Sequence, residues 1–151
     1  MTEIDDLLGF LAAAPSPYHA VARARRRLGD AGFTALDPTE AWPAEPGAYL
    51  VAIGGALVAW RVPEGAPAHR RMRIVGAHTD SPNLRIKPHP DTGAHGWQQL
   101  AVEVYGGALW NSWLDRDLGL SGRVVVRGDD GTLDERLFAC DCPLLRIPQL
   151  A

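Results

Sequence analysis

Apolar residues recur at helical spacing near the start of the chain. Ile4, Leu7, Leu8 and Leu11 fall at i, i+3, i+4 and i+7, one face of a helix. Thr2 and Asp5 stand ahead of that stripe at the spacing of a capping box. Residues 12–15 interrupt the pattern. Ser16 followed by Pro17 restarts it, since Ser caps a helix and Pro is tolerated in its first turn. Val21, Ala24 and Leu28 carry the apolar face of this second helix, which Gly29 or Gly32 ends. A Pro-rich loop over 37–46 follows, and beyond it the period changes to that of strands. The runs 49–53 and 56–62 are β-prone and separated by Gly54-Gly55, a hairpin signal. After a turn over 63–71, residues 72–77 predict another strand, with Ile74 and Val75 bulky enough for a buried position. It runs straight into His78-Thr79-Asp80.

The second half is nearly all β in pattern. A short strand over 84–87 is expected to end at Pro88, with a polar turn over 89–96. Leu100, Val102 and Val104 alternate with Ala101, Glu103 and Tyr105, as in a half-exposed strand. Further strands are expected over 119–127, 133–139 and 144–147, the first two joined by a tight turn over 128–131. The expected fold class is therefore α/β, with helices and strands mixed in the first half.

Composition narrows the setting. A chain of 151 residues holds one domain or parts of two, and its 46% hydrophobic and 22% charged content is globular. A net charge of -3 and a pI near 5.9 argue against a general nucleic-acid binder. The one basic cluster, Arg23, Arg25, Arg26 and Arg27, lies in the second helix and reads as its solvated face. No apolar run approaches the roughly 20 residues that span a bilayer. The acidic start MTEIDDLL lacks the basic region of a signal peptide. Cys140 and Cys142 are too close for an easy unstrained disulfide, so reduced thiols and a cytoplasmic setting are expected.

The chemistry concentrates at the end of the strand expected over 72–77. Ligands of open α/β sheets gather beyond the carboxyl ends of strands, where His78 would lie. A neutral imidazole is a common zinc ligand, and its second nitrogen needs an acceptor to fix tautomer and orientation. Asp80 supplies a carboxylate two residues away, and Gly76 and Ala77 leave room for close approach. By itself His-x-Asp is weak, because such pairs are often purely structural. The other candidates have plainer readings. His19 suits a helix terminus, and His69, His89 and His95 suit the surface. Ser81 lacks the Gly-x-Ser-x-Gly context of a nucleophile. Asp115 and Asp117 flank Arg116 and suit an ion pair or turn; Trp97, Trp110 and Trp113 suit packing or subunit contacts.

Four ordered blocks nevertheless place the motif in company. The run His78-Thr79-Asp80-Ser81-Pro82-Asn83-Leu84-Arg85-Ile86-Lys87-Pro88 resembles the first metal motif of the aspartyl aminopeptidases, the M18 family. Ser16-Pro17-Tyr18-His19-Ala20-Val21 resembles that family's N-terminal helix start. Val102-Glu103-Val104-Tyr105-Gly106-Gly107-Ala108-Leu109-Trp110 with Trp113-Leu114-Asp115-Arg116-Asp117-Leu118, and Pro143-Leu144-Leu145-Arg146-Ile147-Pro148, resemble two later segments. The resemblance implies an enzyme that uses two divalent metal ions, usually zinc, to remove N-terminal and often acidic residues from peptides. It implies a zinc-peptidase-like α/β catalytic domain, begun over 1–88, and an inserted β-rich oligomerisation domain, begun over 89–151. It further implies assembly into closed homo-oligomers, with His78 as a metal ligand and Asp80 as the catalytic-site carboxylate that orients it. The bridging carboxylate, the general-base Glu and the other ligands of similar enzymes lie beyond position 151. The chain is accordingly expected to be an incomplete N-terminal part, inactive alone. A non-catalytic module that retains only oligomerisation or partner binding is the alternative, and a related deacylase ranks last.

Overall fold

In the computed structural model, which describes residues 2–67 and 71–149 (the side chain of Asp141 excepted), the helix starts form as their caps dictate. Thr2 Oγ1 accepts from the Asp5 N–H at 3.1 Å, and the Asp5 carboxylate accepts from the Thr2 N–H at 2.9 Å. This reciprocal box opens helix α1, Glu3–Ala12. Helix α2, Pro17–Asp30, opens with Pro17 in its first turn and Ser16 as its cap, the Ser16 hydroxyl accepting from the His19 N–H. Arg27 of α2 forms an ion pair with Asp6 of α1 and lies over the Phe10 ring, 5.3 Å from its centroid.

Strand β1 (Thr34–Ala35) pairs in parallel with β2 (Gly47–Ile53), and β2 pairs antiparallel with β3 (Ala56–Val62). The β2–β3 connection places Gly54 at φ +55°, a conformation open to glycine without steric penalty. Helix α2 packs on this three-stranded sheet. Leu50 and Val51 of β2 and Val21 of α2 are the buried hydrophobic residues among those described. Burying a side chain of this size contributes about 1.5–3 kcal/mol. The expected hairpin and both helices are therefore present, with the core where they meet.

The segment expected as a strand over 72–77 forms none. No described strand pairs with it, and Met72, Ile74 and Val75 are exposed. Aliphatic character calls for burial, but a strand also needs neighbours to take its N–H and C=O groups.

Strands β4 (Asn83–Ala94) and β5 (Trp97–Tyr105) form an antiparallel pair. The expected end at Pro88 and the polar turn from 89 are corrected: the strand resumes pairing at Asp91 and turns only at residues 95–96. The register jumps between Ile86↔Val102 and Asp91↔Leu100, so Pro88 and Pro90 sit in an irregular stretch that asks them for no ladder hydrogen bond. His89, at φ 55°, lies in the same stretch. A short 3₁₀ turn, Trp110–Trp113, precedes β6 (Leu118–Arg127), which pairs with β7 (Leu133–Leu145).

β7 runs unbroken where two shorter strands were expected, and its Cys140 and Cys142 are disulfide-bonded rather than reduced. Residues two apart in a strand share one face, which brings these thiols together despite their short separation in sequence.

The chain divides into two compact units. One comprises the residues up to Asp80 together with Leu120–Cys140; the other comprises Ser81–Gly119 together with the residues from Asp141 on. Among the described residues no helix is long and apolar enough to cross a membrane.

Candidate metal-ligand site

Residues 71–80 of the first unit carry the pair singled out by sequence. His78 and Asp80 are brought together: His78 Nδ1 lies 3.2 Å from Asp80 Oδ1. A carboxylate only accepts, so in this contact His78 Nδ1 is the donor. The His78 side chain is 92% exposed and that of Asp80 31%, so the carboxylate is the more embedded partner. A side chain added at Gly76 would meet nothing within 4 Å, so the space at that position is open.

The tip is fastened by the residue between them. Thr79 Oγ1 donates to the Gly55 carbonyl at 2.6 Å, joining the segment to the β2–β3 turn. That turn in turn rests on α2: a Cβ built at Gly55 would stand 3.2 Å from Pro17 Cβ. Neither Thr79 nor Gly55 was singled out from the sequence as a functional residue. A contact across 24 positions between a loop and a turn leaves no periodic signal, and Gly54-Gly55 signals only its hairpin.

The donor chemistry can be tested against zinc. A tetrahedral zinc site needs four ligands, or three and a water. His78 fits one such place, with an exposed Nε2 and a carboxylate behind Nδ1. Among the described residues no three His, Cys, Asp or Glu side chains cluster as a ligand set. The pair thus fits a single position in a metal's shell and supplies no more.

The remaining candidates have structural roles or lie elsewhere. His19 Nδ1 is 2.7 Å from Ser16 Oγ at the start of α2, as expected for a helix-terminus residue. Asp115, at φ 51°, accepts from the Gln149 N–H through its carboxylate and from Arg146 through its carbonyl. Asp117 lies 3.7 Å from the same guanidinium, so this acidic pair serves a turn and an ion pair. Of the basic cluster, Arg25, Arg26 and Arg27 are exposed and Arg23 is half-buried. His89 is exposed, as is His95, while His69 lies outside the described residues. Trp97 and Trp110 are exposed.

Comparison with known proteins bears on the same residues. The family model for aminopeptidase I zinc metalloproteases (M18) matches residues 10–151. The chain is 65% identical over 147 residues to a Streptomyces coelicolor protein named "Probable M18 family aminopeptidase 2", covering 97% of this chain and 33% of that one. A Mycobacterium leprae protein of the same name is 53% identical over 148 residues, covering 97% and 35%. Among solved structures, a chain of the cryo-EM structure of the Ape4 and Nbr1 complex superposes with a TM-score of 0.91 at 39% identity, over 97% of this chain and 29% of that one. The crystal structure of yeast aminopeptidase 1 superposes with a TM-score of 0.85 at 26% identity, over 95% and 35%. The chain thus spans about a third of the length of the curated relatives it matches.

Proposed function

The chain belongs to the M18 family of aminopeptidase I zinc metalloproteases, and on that premise we propose that the protein of which these residues form a part is a metal-dependent aminopeptidase. In this reading it hydrolyses the first peptide bond of its substrates. Water adds to the carbonyl carbon, the C–N bond breaks, and the departing nitrogen takes up a proton. His78 contributes one ligand to zinc through Nε2. Asp80 holds the proton on Nδ1 and so keeps the ring in the tautomer and orientation that binding needs. The observation that carries the reading is the His78–Asp80 contact at 3.2 Å with the His78 side chain exposed.

When bound, zinc supplies Lewis-acid polarisation of a carbonyl and a lowered pKa for water. The residues of this chain bind and orient. The remaining ligands and the general base fall to the rest of the protein, since one imidazole cannot satisfy a zinc. Several finer expectations belong to the same proposal. These are a pair of zinc ions, a preference for acidic N-terminal residues, a cytoplasmic setting and assembly into homo-oligomers. The division into a catalytic domain begun over 1–88 and an inserted β-rich domain begun over 89–151 belongs here as well.

The test is hydrolysis of short peptides by the intact natural protein. The expected result is release of single N-terminal residues that stops on chelation and resumes with zinc. His78→Ala is expected to lower the rate by more than about 100-fold, above what loss of an outer-shell partner costs. Undiminished hydrolysis by His78→Ala would remove the role given to this residue.

A further inference from the structure

We propose that Thr79 is a positioning residue for the His78–Asp80 pair, its hydroxyl fastening the loop that carries them to the β2–β3 turn. The inference rests on the reading of His78 as a metal ligand and adds how that ligand is held in place.

Among the described strands none pairs with residues 71–79, while Thr79 makes a hydrogen bond outside the segment. Ordering a loop costs conformational entropy at each residue. A residue that holds the loop in place beforehand spares a ligand on it that cost. Thr79 stands between the two site residues, and its hydroxyl donates to the Gly55 carbonyl at 2.6 Å. Fixing Thr79 fixes the chain on both sides of it. The two Cα positions it links are adjacent to its own, so His78 and Asp80 have little freedom left to separate.

The anchor itself is held. Gly55 approaches the first turn of α2 closely enough that a Cβ there would stand 3.2 Å from Pro17 Cβ, 3.7 Å from Pro17 Cγ and 3.9 Å from Tyr18 Cε1. Pro17 has a fixed φ, and Ser16 caps the helix at that point. On its other side, the Pro15 carbonyl accepts from Ser121 Oγ at 2.9 Å. The loop is thus fastened through a two-residue turn to the start of a packed helix, the kind of rigid support that a ligand needs to stay within a fraction of an ångström of its working position. Thr also has a stiffer χ1 than Ser, which keeps the hydroxyl aimed at its acceptor.

The experiment compares the intact natural protein with its Thr79→Val, Thr79→Ser and His78→Ala variants. Zinc affinity is read by chelator competition, and amide hydrogen exchange over residues 76–80 is read in the zinc-free protein. Thr79→Val keeps the shape and loses the donor. It is expected to weaken zinc binding by about 10–100-fold, the usual effect of losing a supporting group around a ligand. It is also expected to speed exchange at 76–80 while leaving α2 and β2 unchanged. Thr79→Ser keeps the donor and is expected to stay near wild type in both readings.

Wild-type affinity and exchange in Thr79→Val, with His78→Ala losing a zinc, would overturn the positioning role and leave the ligand reading intact. A Thr79→Ser variant as impaired as Thr79→Val would overturn it too, because the hydroxyl would not be what acts. Should His78→Ala retain its full zinc content, the ligand reading fails, and the exchange data still decide whether Thr79 fastens the loop.

Discussion

Leu50-Val51 and Ile74-Val75 are adjacent aliphatic pairs in the same compact unit, both in runs that the sequence reads as strands, with Ile74-Val75 the pair expected to be buried. Their fates differ. Leu50 and Val51 are 1% and 6% exposed, whereas Ile74 and Val75 are 83% and 96% exposed. The first pair lies in β2, flanked by β1 and β3 and covered by α2. The second has no strand beside it among those described. Aliphatic pattern therefore states a demand for burial, and other segments decide whether it is met. The candidate site sits at the end of the segment whose demand is unmet in this chain, and Thr79 ties that end to the β2–β3 turn.

The comparison can be broken by substitution at its two ends. In the 151-residue chain Leu50→Ala is expected to cost about 2–5 kcal/mol in denaturant unfolding, since it empties a closed position. Val75→Ala is expected to stay within about 0.5 kcal/mol there, as exposed positions do. In the intact natural protein, an α/β catalytic domain would supply neighbours to residues 72–77, and the Val75→Ala cost is expected to rise toward that of Leu50→Ala. Equal and small costs for Val75→Ala in both settings would mean that this segment is not a strand of that domain.

A smaller effect sharpens the contrast within the helices. Helix α1 leaves Ile4, Leu7, Leu8 and Leu11 exposed, so its capping box matters more than its apolar face. The Thr2 backbone N–H, and after it the Thr2 hydroxyl, hold the Asp5 carboxyl below its ordinary value of 3.8. A folded-state value below the unfolded one gives stability that is present above the unfolded value and lost as pH falls through the folded one. Acid titration of helix content is therefore expected to show a loss below about pH 4 that is reduced in Asp5→Ala. Identical acid limbs in the two proteins would remove the box from the account.

What the sequence made legible was what local chemistry decides. Ser16-Pro17, Thr2 with Asp5, and Gly54-Gly55 each specify a cap or a turn from neighbouring residues alone, and each is found where expected. The His78–Asp80 pair was legible for the same reason, since two residues bring its partners together. Less legible were the features set by distant segments. β4 passes Pro88 and Pro90 because β5 tolerates a register jump opposite them, and no propensity at those prolines could announce it. The bond from Thr79 to Gly55 depends on where a hairpin and a loop meet. Cys140 and Cys142 join because the strand that carries them runs through, where a break was expected.

The central claim is that His78 binds zinc through Nε2 while Asp80 holds Nδ1. The measurement that tests it most directly is anomalous diffraction at the zinc edge from crystals of the intact natural protein. The account predicts a zinc peak at about 2.0–2.1 Å from His78 Nε2, with Nδ1 still in contact with the Asp80 carboxylate. A fully occupied zinc site whose ligands do not include His78 would contradict it.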